Sequence, residues 1–342
     1  MLTRATLTAT VSAALAEDAP WGDITCESFL PEDATATAVL RPRADGVLAG
    51  TEVFTAAFTL TDAATSVAWE KADGDRFRAG EVLARVQGPA RSVLRAERIA
   101  LNFTQRMCGI ASLTAAFVAE TSGTGARIVD TRKTTPGLRA FERHAVRCGG
   151  GQNHRFSLSD AVMVKDNHLA VATAAGMSLT EAILAAKKRL GHTTHVEVEV
   201  DRLEQIEPVL AAGVDTIMLD NFSPAQLRAG VAQVAGRAVV EASGAITLDQ
   251  VRAVAESGVD VISVGALTHS APALDLGLDV QVSAAEGLGG GADPAANHAA
   301  NHELAVNDAP PGTKNDAAAA SSPAGNSSAS AADAVDRASG VV

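Results

Sequence analysis

The stretch from Arg127 to His168 concentrates the side chains that are able to do chemistry. Its 42 residues hold eight basic and four acidic side chains, whereas the whole chain has 28 Lys+Arg against 40 Asp+Glu and a net charge of −12. A segment of charge +4 inside an acidic protein predicts an anionic ligand. The basic side chains are Arg127, Arg132, Lys133, Arg139, Arg143, Arg147, Arg155 and Lys165, and histidines stand at 144, 154 and 168.

Two short apolar runs place these charges at the ends of predicted strands. Ile128-Val129 is followed by Asp-Thr-Arg-Lys-Thr-Thr, and Ala161–Val164 is followed by Lys-Asp-Asn-His. Between them Pro136-Gly137 opens a helical pattern that Gly149–Gly151 closes. Parallel α/β folds build their active sites at the C-terminal ends of strands, so the pattern predicts a site there.

From residue 126 to 267 the chain alternates between strand-like and helix-like segments. The predicted strands are Arg127–Val129, Ala161–Val164, His195–Val200, Thr216–Leu219, Ala238–Val240 and Val261–Val264, and the predicted helices are Leu179–Leu190, Leu203–Ala212, Pro224–Val234 and Leu248–Ser257. The sequence Ala-Gly-Val-Asp-Thr-Ile-Met-Leu at Ala212 recurs in similar form at Ser257. Repeated βα units predict a parallel sheet. A closed barrel of about six strands is favoured over a doubly wound sheet because no polar edge strand is evident.

The flanking regions differ in composition from this repeat. Residues 1–108 read as an α+β sandwich domain, joined by 271–282, and the long apolar periodicity of Ser92–Phe117 predicts a helix leading into the barrel domain of 109–270. Residues 283–342 hold no aromatic residue and much Ala, Ser, Gly, Asn, Asp and Pro. Such a segment buries too little apolar surface to fold, so a disordered tail is predicted.

Composition also excludes several classes of protein. No apolar run approaches the roughly 18 residues that span a bilayer, and the N-terminus lacks the compact apolar region of a secretory signal. Three cysteines without metal-type spacing indicate reduced thiols and a cytoplasmic location. Nucleic-acid binding is disfavoured because the chain is acidic and only 3% aromatic.

The later strands end in acidic or small residues rather than basic ones. Glu199 and Asp220 suit Mg²⁺ or the hydroxyl groups of a sugar. Ser243-Gly244-Ala245 and Gly265-Ala266 suit a phosphate, because small residues let backbone N–H groups approach it. A basic early wall and an acidic late wall therefore predict one site for a polycarboxylate and a phosphorylated sugar.

The ordered motifs DTRKT, PGLR, GGG, NHR and KDNH resemble those of the quinolinate phosphoribosyltransferases, and the resemblance spans about residues 17–280. It implies transfer of phosphoribosyl from PRPP to quinolinate with decarboxylation, in de novo NAD synthesis. It also implies Mg²⁺ as cofactor and a homodimer or larger homo-oligomer with shared active sites. Two alternative functions remain open. The chain is either a related phosphoribosyltransferase that acts on a monocarboxylate or in molybdenum transport, or a non-catalytic anion-binding protein.

The resemblance assigns roles to individual residues. Quinolinate is expected to contact Arg132, His154, Arg155, Lys165 and, from a partner subunit, Arg98. The expected catalytic residues are Lys133, Glu199 and Asp220, of which the last two also hold the metal. The PRPP 5′-phosphate is expected at Ser243, Gly244, Gly265 and His269. Ala245 departs from the Ser-Gly-Gly usual in the family, and its methyl group is expected to crowd the phosphate.

Overall fold

A computed structural model describes residues 2–174 and 176–283 of the chain. The first part of the chain forms helices and short strands, and the strands pair in antiparallel fashion. Its elements are α1 (Arg4–Asp18), α2 (Ile24–Phe29), β1 (Thr35–Pro42), β2 (Gly46–Val47), α3 (Thr51–Thr61), β3 (Ser66–Trp69), β4 (Arg76–Phe77), β5 (Ala84–Pro89) and α4 (Ala90–Glu120).

The remaining elements alternate strand and helix. They are β6 (Arg127–Val129), α5 (Arg139–Cys148), β7 (Val162–Val164), α6 (Asp166–Ala174), α7 (Leu179–Lys187), β8 (Val196–Val200), a 3-10 turn (Leu203–Gln205), α8 (Ile206–Leu210), β9 (Thr216–Asp220), α9 (Pro224–Val234), β10 (Val239–Ser243), α10 (Leu248–Ala255), β11 (Val261–Ser263), α11 (Ala266–His269) and β12 (Leu276–Ser283). All six predicted strands are present. Five lie within one residue of their predicted bounds, and β10 extends three residues further than predicted, to Ser243.

The larger antiparallel sheet has the strand order β12-β1-β5-β3, and β2 pairs with β4 in a separate two-stranded sheet. β1 alternates exposed and buried residues, with Ala36, Ala38 and Leu40 on the buried face. This period of two is that of a strand with one face on a core. The last described strand returns to this sheet, where β12 pairs with β1 from Thr35↔Ser283 to Pro42↔Leu276. The proposed domain boundaries remain a prediction.

The six-stranded sheet is parallel, with the strand order β6-β11-β10-β9-β8-β7. Side chains that follow its two end strands, Lys133 after β6 and Lys165 after β7, line the same cavity. The sheet is therefore curled into a barrel, as predicted. No ladder joins β6 to β7 among the described residues; Gln152 instead forms a bridge with Val129 at this edge.

The helix α4 packs against both sheets. It contacts α3, β1, β5, α5 and β6 and buries 16 residues, mostly Ala, Ile, Val and Thr. Close packing without large aromatic side chains fits the low aromatic content of the sequence. Within the described part of the chain, no helix combines the length and the apolar character needed to cross a membrane.

Two predictions about elements need comment. The helix expected over Leu203–Ala212 is divided into a 3-10 turn and α8, which begins at Ile206 with Pro208 in its first turn. Proline is tolerated there because the first N–H groups of a helix have no intrahelical acceptor. Ser283 belongs to β12, and the rest of the predicted tail lies outside the described residues.

Candidate active site

A cavity of about 740 Å³ lies at the C-terminal ends of the parallel strands. Ligand sites of this size hold one or two small molecules. Eleven of the twelve residues predicted for the site line it: Arg132, Lys133, His154, Arg155, Lys165, Glu199, Asp220, Ser243, Gly244, Gly265 and His269. The fold thus gathers residues that are more than 130 positions apart in the sequence.

The basic wall of the cavity is built around two arginines. The Nε atom of Arg132 is buried and has no hydrogen-bond partner among the described residues. Arg155 donates from Nη1 to the carbonyl of Ala161 at 2.8 Å, which fixes its guanidinium. Burial, and then the nearby charge of Arg132, lower the pKa of Arg155. Two guanidinium groups that repel each other in a partly buried site are matched to an anion carrying more than one charge.

His154 is held between two buried carboxylates. Its Nε2 atom lies 3.2 Å from Glu197 Oε2 and 3.4 Å from Glu241 Oε2, and both glutamates are only 3% exposed. Burial opposes protonation of the ring, but these two carboxylates outweigh it and raise the pKa of His154 to about 10. Burial, assisted by the charge of Glu241, raises the pKa of Glu197.

A competing contact bears on the charge of the His154 ring. The backbone N–H of Arg155 points to Nδ1 at 2.7 Å, which favours a neutral ring. A neutral hydrogen bond contributes about 0.5–1.5 kcal/mol and each contact with a charged group about 1.5–3 kcal/mol. The two carboxylates therefore favour the protonated ring more than the single amide disfavours it.

The loop that carries His154 is anchored by a buried aspartate. Asp130, which is fully buried, accepts from the backbone N of His154 at 2.8 Å, from Arg143 Nη1 at 3.1 Å and from Asn153 Nδ2 at 2.6 Å. Burial raises the pKa of Asp130, and the charge of Arg143 opposes this effect. The aspartate at the end of β6 thus positions the NHR segment rather than facing a ligand.

The acidic wall lies on β8 and β9. Glu199 pairs with the Nζ atom of Lys165, which reaches it from the end of β7. Asp220 ends β9, and its Oδ2 atom accepts from Asn221 Nδ2 at 2.7 Å. Both carboxylates border the cavity. Together they offer oxygen atoms only, which is the donor set that suits Mg²⁺ or sugar hydroxyl groups.

Small residues line the part of the cavity after β10 and β11. Gly244 has φ = 138°, and a Cβ atom there would lie 2.6 Å from Asn221 Oδ1. A Cβ atom on Gly265 would lie 2.9 Å from Lys133 Cδ and 3.2 Å from His269 Nε2. The lysine and histidine therefore converge on the space beside Gly265, where an anionic group is favoured. Ala245 also lines the cavity.

Arg98 is the one predicted site residue that does not line the cavity of its own chain. It is exposed on α4. The cavity is also lined by residues that were not predicted from sequence, among them Thr131, Met163 and Met218. The alternation Val-Glu-Val-Glu-Val in β8 is the signal that both Glu197 and Glu199 lie on the same face of the strand.

Comparison with known families covers most of the described chain. Residues 23–108 match the family model described as the quinolinate phosphoribosyl transferase N-terminal domain. Residues 110–279 match the model of the C-terminal domain of the same family. The two models together cover well over half of the chain.

Individual proteins similar to this chain carry names that agree with the matched family. The probable nicotinate-nucleotide pyrophosphorylase [carboxylating] of Bacillus subtilis (strain 168) is 42% identical over 267 residues, covering 78% of this chain and 91% of that protein. The nicotinate-nucleotide pyrophosphorylase [carboxylating] of Mycobacterium leprae is 42% identical over 280 residues, covering 79% and 96%. Among solved structures, NadC from Streptococcus pyogenes superposes with a TM-score of 0.79 at 41% identity, covering 83% of this chain and 99% of that one.

Proposed function

The chain belongs to the quinolinate phosphoribosyltransferase family, and from this premise we infer that it transfers the phosphoribosyl group of PRPP to quinolinate with decarboxylation. The products are nicotinate mononucleotide, pyrophosphate and CO₂, in de novo NAD biosynthesis. One observation in this chain carries the conclusion: Arg132, whose buried Nε atom has no hydrogen-bond partner among the described residues, lines the cavity together with Arg155 and His154, a histidine of raised pKa. This arrangement suits a dicarboxylate.

Quinolinate is assigned to the basic wall. Arg132, Arg155 and His154 approach from the loops after β6 and α5, and Lys165 approaches from β7. Lys165 is paired with Glu199, so an incoming carboxylate competes with Glu199 for the ammonium group. Met163 and Met218 also line the cavity and offer the pyridine ring an apolar surface.

PRPP is assigned to the opposite wall. Lys133, Gly265 and His269 converge where the 5′-phosphate is expected, and Ser243 with Gly244 borders the same region. Glu199 and Asp220 face the ribose. The reaction is then a displacement at C1: the ring nitrogen forms the N–C1 bond as the bond to pyrophosphate breaks. Fixed carboxylates beside C1 stabilise the positive charge that develops there.

Decarboxylation follows from the charge on the product ring. The alkylated nitrogen is positive, so its charge stabilises the electron pair that stays on C2 when the bond between C2 and its carboxylate breaks. The carbon then takes up a proton. The chain's part is to hold the other carboxylate and to keep the ring in place, through groups whose own positions are fixed by hydrogen bonds such as that of Asp130 to the backbone of His154.

Mg²⁺ is proposed as the cofactor, since Glu199 and Asp220 supply only oxygen donors to the cavity. Glu199 and Asp220 would hold the cation, which would supply positive charge to the pyrophosphate group of PRPP. The cytoplasm is proposed as the location. All three cysteines are free thiols in the structure, which fits a reducing compartment.

A homodimer or larger homo-oligomer is proposed, with Arg98 completing the site of a partner subunit. Two observations support it: Arg98 is exposed outside its own cavity, and the segment that packs on α4 exposes large apolar side chains. Trp21 is 93%, Ile24 79% and Phe29 82% exposed. Clustered apolar exposure of this kind marks a protein interface.

A side-by-side assay of quinolinate and nicotinate tests the function. Nicotinate lacks one carboxylate and leaves a buried cation unpaired, which costs roughly 3–5 kcal/mol, or a preference for quinolinate of about a hundredfold or more. CO₂ from the C2 carboxylate should appear in equal amount with pyrophosphate. The variant Arg155→Ala should reduce turnover of quinolinate more than turnover of nicotinate. Comparable rates with both acids, or pyrophosphate without CO₂, would refute the assignment in favour of a monocarboxylate transferase.

A further inference from the structure

Three potential metal ligands meet outside the catalytic cavity. Asp73 lies in the turn between β3 and β4, and His144 and Cys148 lie in the C-terminal half of α5. A carboxylate oxygen, a ring nitrogen and the sulfur of these residues lie within 4.8 Å of one another. None of the three lines the catalytic cavity.

The carboxylate of Asp73 is oriented by hydrogen bonds from the backbone. Its Oδ1 atom accepts from the backbone N–H groups of Gly50 and Thr51, both at 3.0 Å, at the start of α3. This leaves Oδ2 directed toward His144, whose Nε2 atom lies 2.6 Å away. Hydrogen bonds that orient a ligating carboxylate are typical of metal sites, where they raise the affinity by one to two orders of magnitude.

The other two groups share one face of α5. His144 and Cys148 are four residues apart, so they lie one above the other on the helix surface. A spacing of four residues on a helix is the one that lets two side chains bind the same ion. Solvent reaches the cluster: the side chains of His144 and Asp73 are 31% and 20% exposed, and Cys148 is partly exposed.

We propose that Asp73, His144 and Cys148 bind a divalent transition-metal ion of the Zn²⁺ or Co²⁺ class, with solvent in the fourth position. A thiolate, an imidazole and a carboxylate suit such ions and are a poor match for Mg²⁺ or Ca²⁺, which select oxygen donors. Binding releases two protons, one from Nε2 of a protonated His144 and one from the Cys148 thiol, and forms the metal–nitrogen and metal–sulfur bonds.

The ion would tie the turn at Asp73 to the end of α5. The Asp73–His144 hydrogen bond already joins these two segments, which are 71 residues apart in sequence. Replacing a shared proton by a metal ion with three protein ligands adds a stronger link that also engages Cys148. The expected consequence is a more stable fold, with no direct part for the ion in the transfer reaction.

Spectroscopy with Co²⁺ tests the proposal. Chelator-treated protein titrated with Co²⁺ at pH 8 should develop a thiolate-to-cobalt charge-transfer band that saturates at one ion per chain and is abolished by Zn²⁺. The band should be absent in Cys148→Ser. It should need at least about tenfold more Co²⁺ in Asp73→Asn and in His144→Gln.

The matched control is Glu199→Gln, which alters the cation-binding wall of the catalytic cavity and should leave the band intact. Burial raises the pKa of Cys26 to about 11 and of Cys108 to about 12, so these thiols do not mimic the signal. Zn²⁺ should also raise the Tm of the wild-type chain by several degrees but not that of Cys148→Ser.

Two results would overturn the proposal: no charge-transfer band in the wild-type chain, or a band of equal strength in Cys148→Ser. If Cys148→Ser does not fold, alkylation of the wild-type chain tests whether Cys148 binds the ion. Zn²⁺ should protect Cys148 from iodoacetamide, as read by peptide mass analysis, and equal alkylation with and without Zn²⁺ refutes the site.

Discussion

Arg106 on α4 binds one carboxylate oxygen of Glu142 on α5 through two donors, Nε at 2.9 Å and Nη2 at 2.5 Å. The same guanidinium donates to Thr135 Oγ1 at 3.0 Å and to the carbonyl of Thr268 at 2.9 Å. Glu142 is 1% exposed and also accepts from the backbone N of Thr135. The pair therefore joins the loop after β6 to the helix after β11, which are two of the segments assigned to PRPP.

Arg106→Ala should destabilise the fold and weaken PRPP binding. Removing one partner of a buried pair costs roughly 3–5 kcal/mol, and the lower end is expected because Arg106 is about a third exposed. Urea unfolding measures this loss, and the KM for PRPP should rise more than the KM for quinolinate. Arg252→Ala is the matched control, because its pair with Glu256 is exposed and is expected to contribute less than about 1 kcal/mol. Equal stability of the two variants would contradict the prediction.

The affinity for quinolinate should not follow an ordinary histidine titration. The pKa of His154 is raised to about 10, above the usual value near 6.5, so the ring keeps its charge from pH 6 to pH 9. Calorimetric binding of quinolinate should therefore show no inflection near pH 6.5. Glu241→Gln removes one carboxylate and lowers the pKa of His154, so its affinity should fall as the pH rises through this range. A wild-type inflection near pH 6.5 would show that the amide of Arg155 prevails.

Activity should require Mg²⁺ and should depend on Asp220. Asp220→Asn removes a charged oxygen ligand while leaving a side chain of the same shape beside Asn221. We expect turnover to fall and the Mg²⁺ concentration for half-maximal rate to rise by about tenfold or more. Asp201→Asn, an exposed carboxylate just after β8, should change neither quantity. Full activity of the wild-type chain in excess chelator would remove the cation from the mechanism.

Subunit mixing should reveal a shared site. Arg98→Ala and Lys165→Ala should each be inactive as pure assemblies. After subunit exchange, a mixed dimer has one site with both defects and one with neither, so about a quarter of all sites should recover. Exchange is verified by mass labelling. If verified exchange restores no activity, Arg98 does not reach across to a partner's cavity.

The strands and the lining of the cavity could be predicted from sequence because local signals suffice for them. Asp130 and Lys165 directly follow short apolar runs, and Asp220 ends a third one. Each run thus carries its strand propensity and its polar end within a few residues. The charge imbalance of 127–168 is equally local. These signals indicate which residues meet at one end of a barrel even though they are far apart in the chain.

Contacts set by tertiary packing could not be predicted in the same way. Nothing near His154 in sequence indicates that Glu197 and Glu241 lie on either side of it, because three separate segments bring them together. The cluster of Asp73, His144 and Cys148 was missed for the same reason. The helix α6, which begins directly at Asp166, was also missed, because its apolar residues show almost no helical periodicity.

The pairing of β1 with β12 has a consequence for synthesis of the chain. β1 lies near the start of the chain and its neighbour β12 runs to Ser283, so the antiparallel sheet lacks an edge strand until translation has passed that residue. During synthesis on the ribosome, the edge of β1 that pairs with β12 has no partner strand while the residues of the barrel are being translated. A nascent chain stalled before Leu276 would expose this edge, and an exposed edge is where chaperones bind and where nascent chains aggregate.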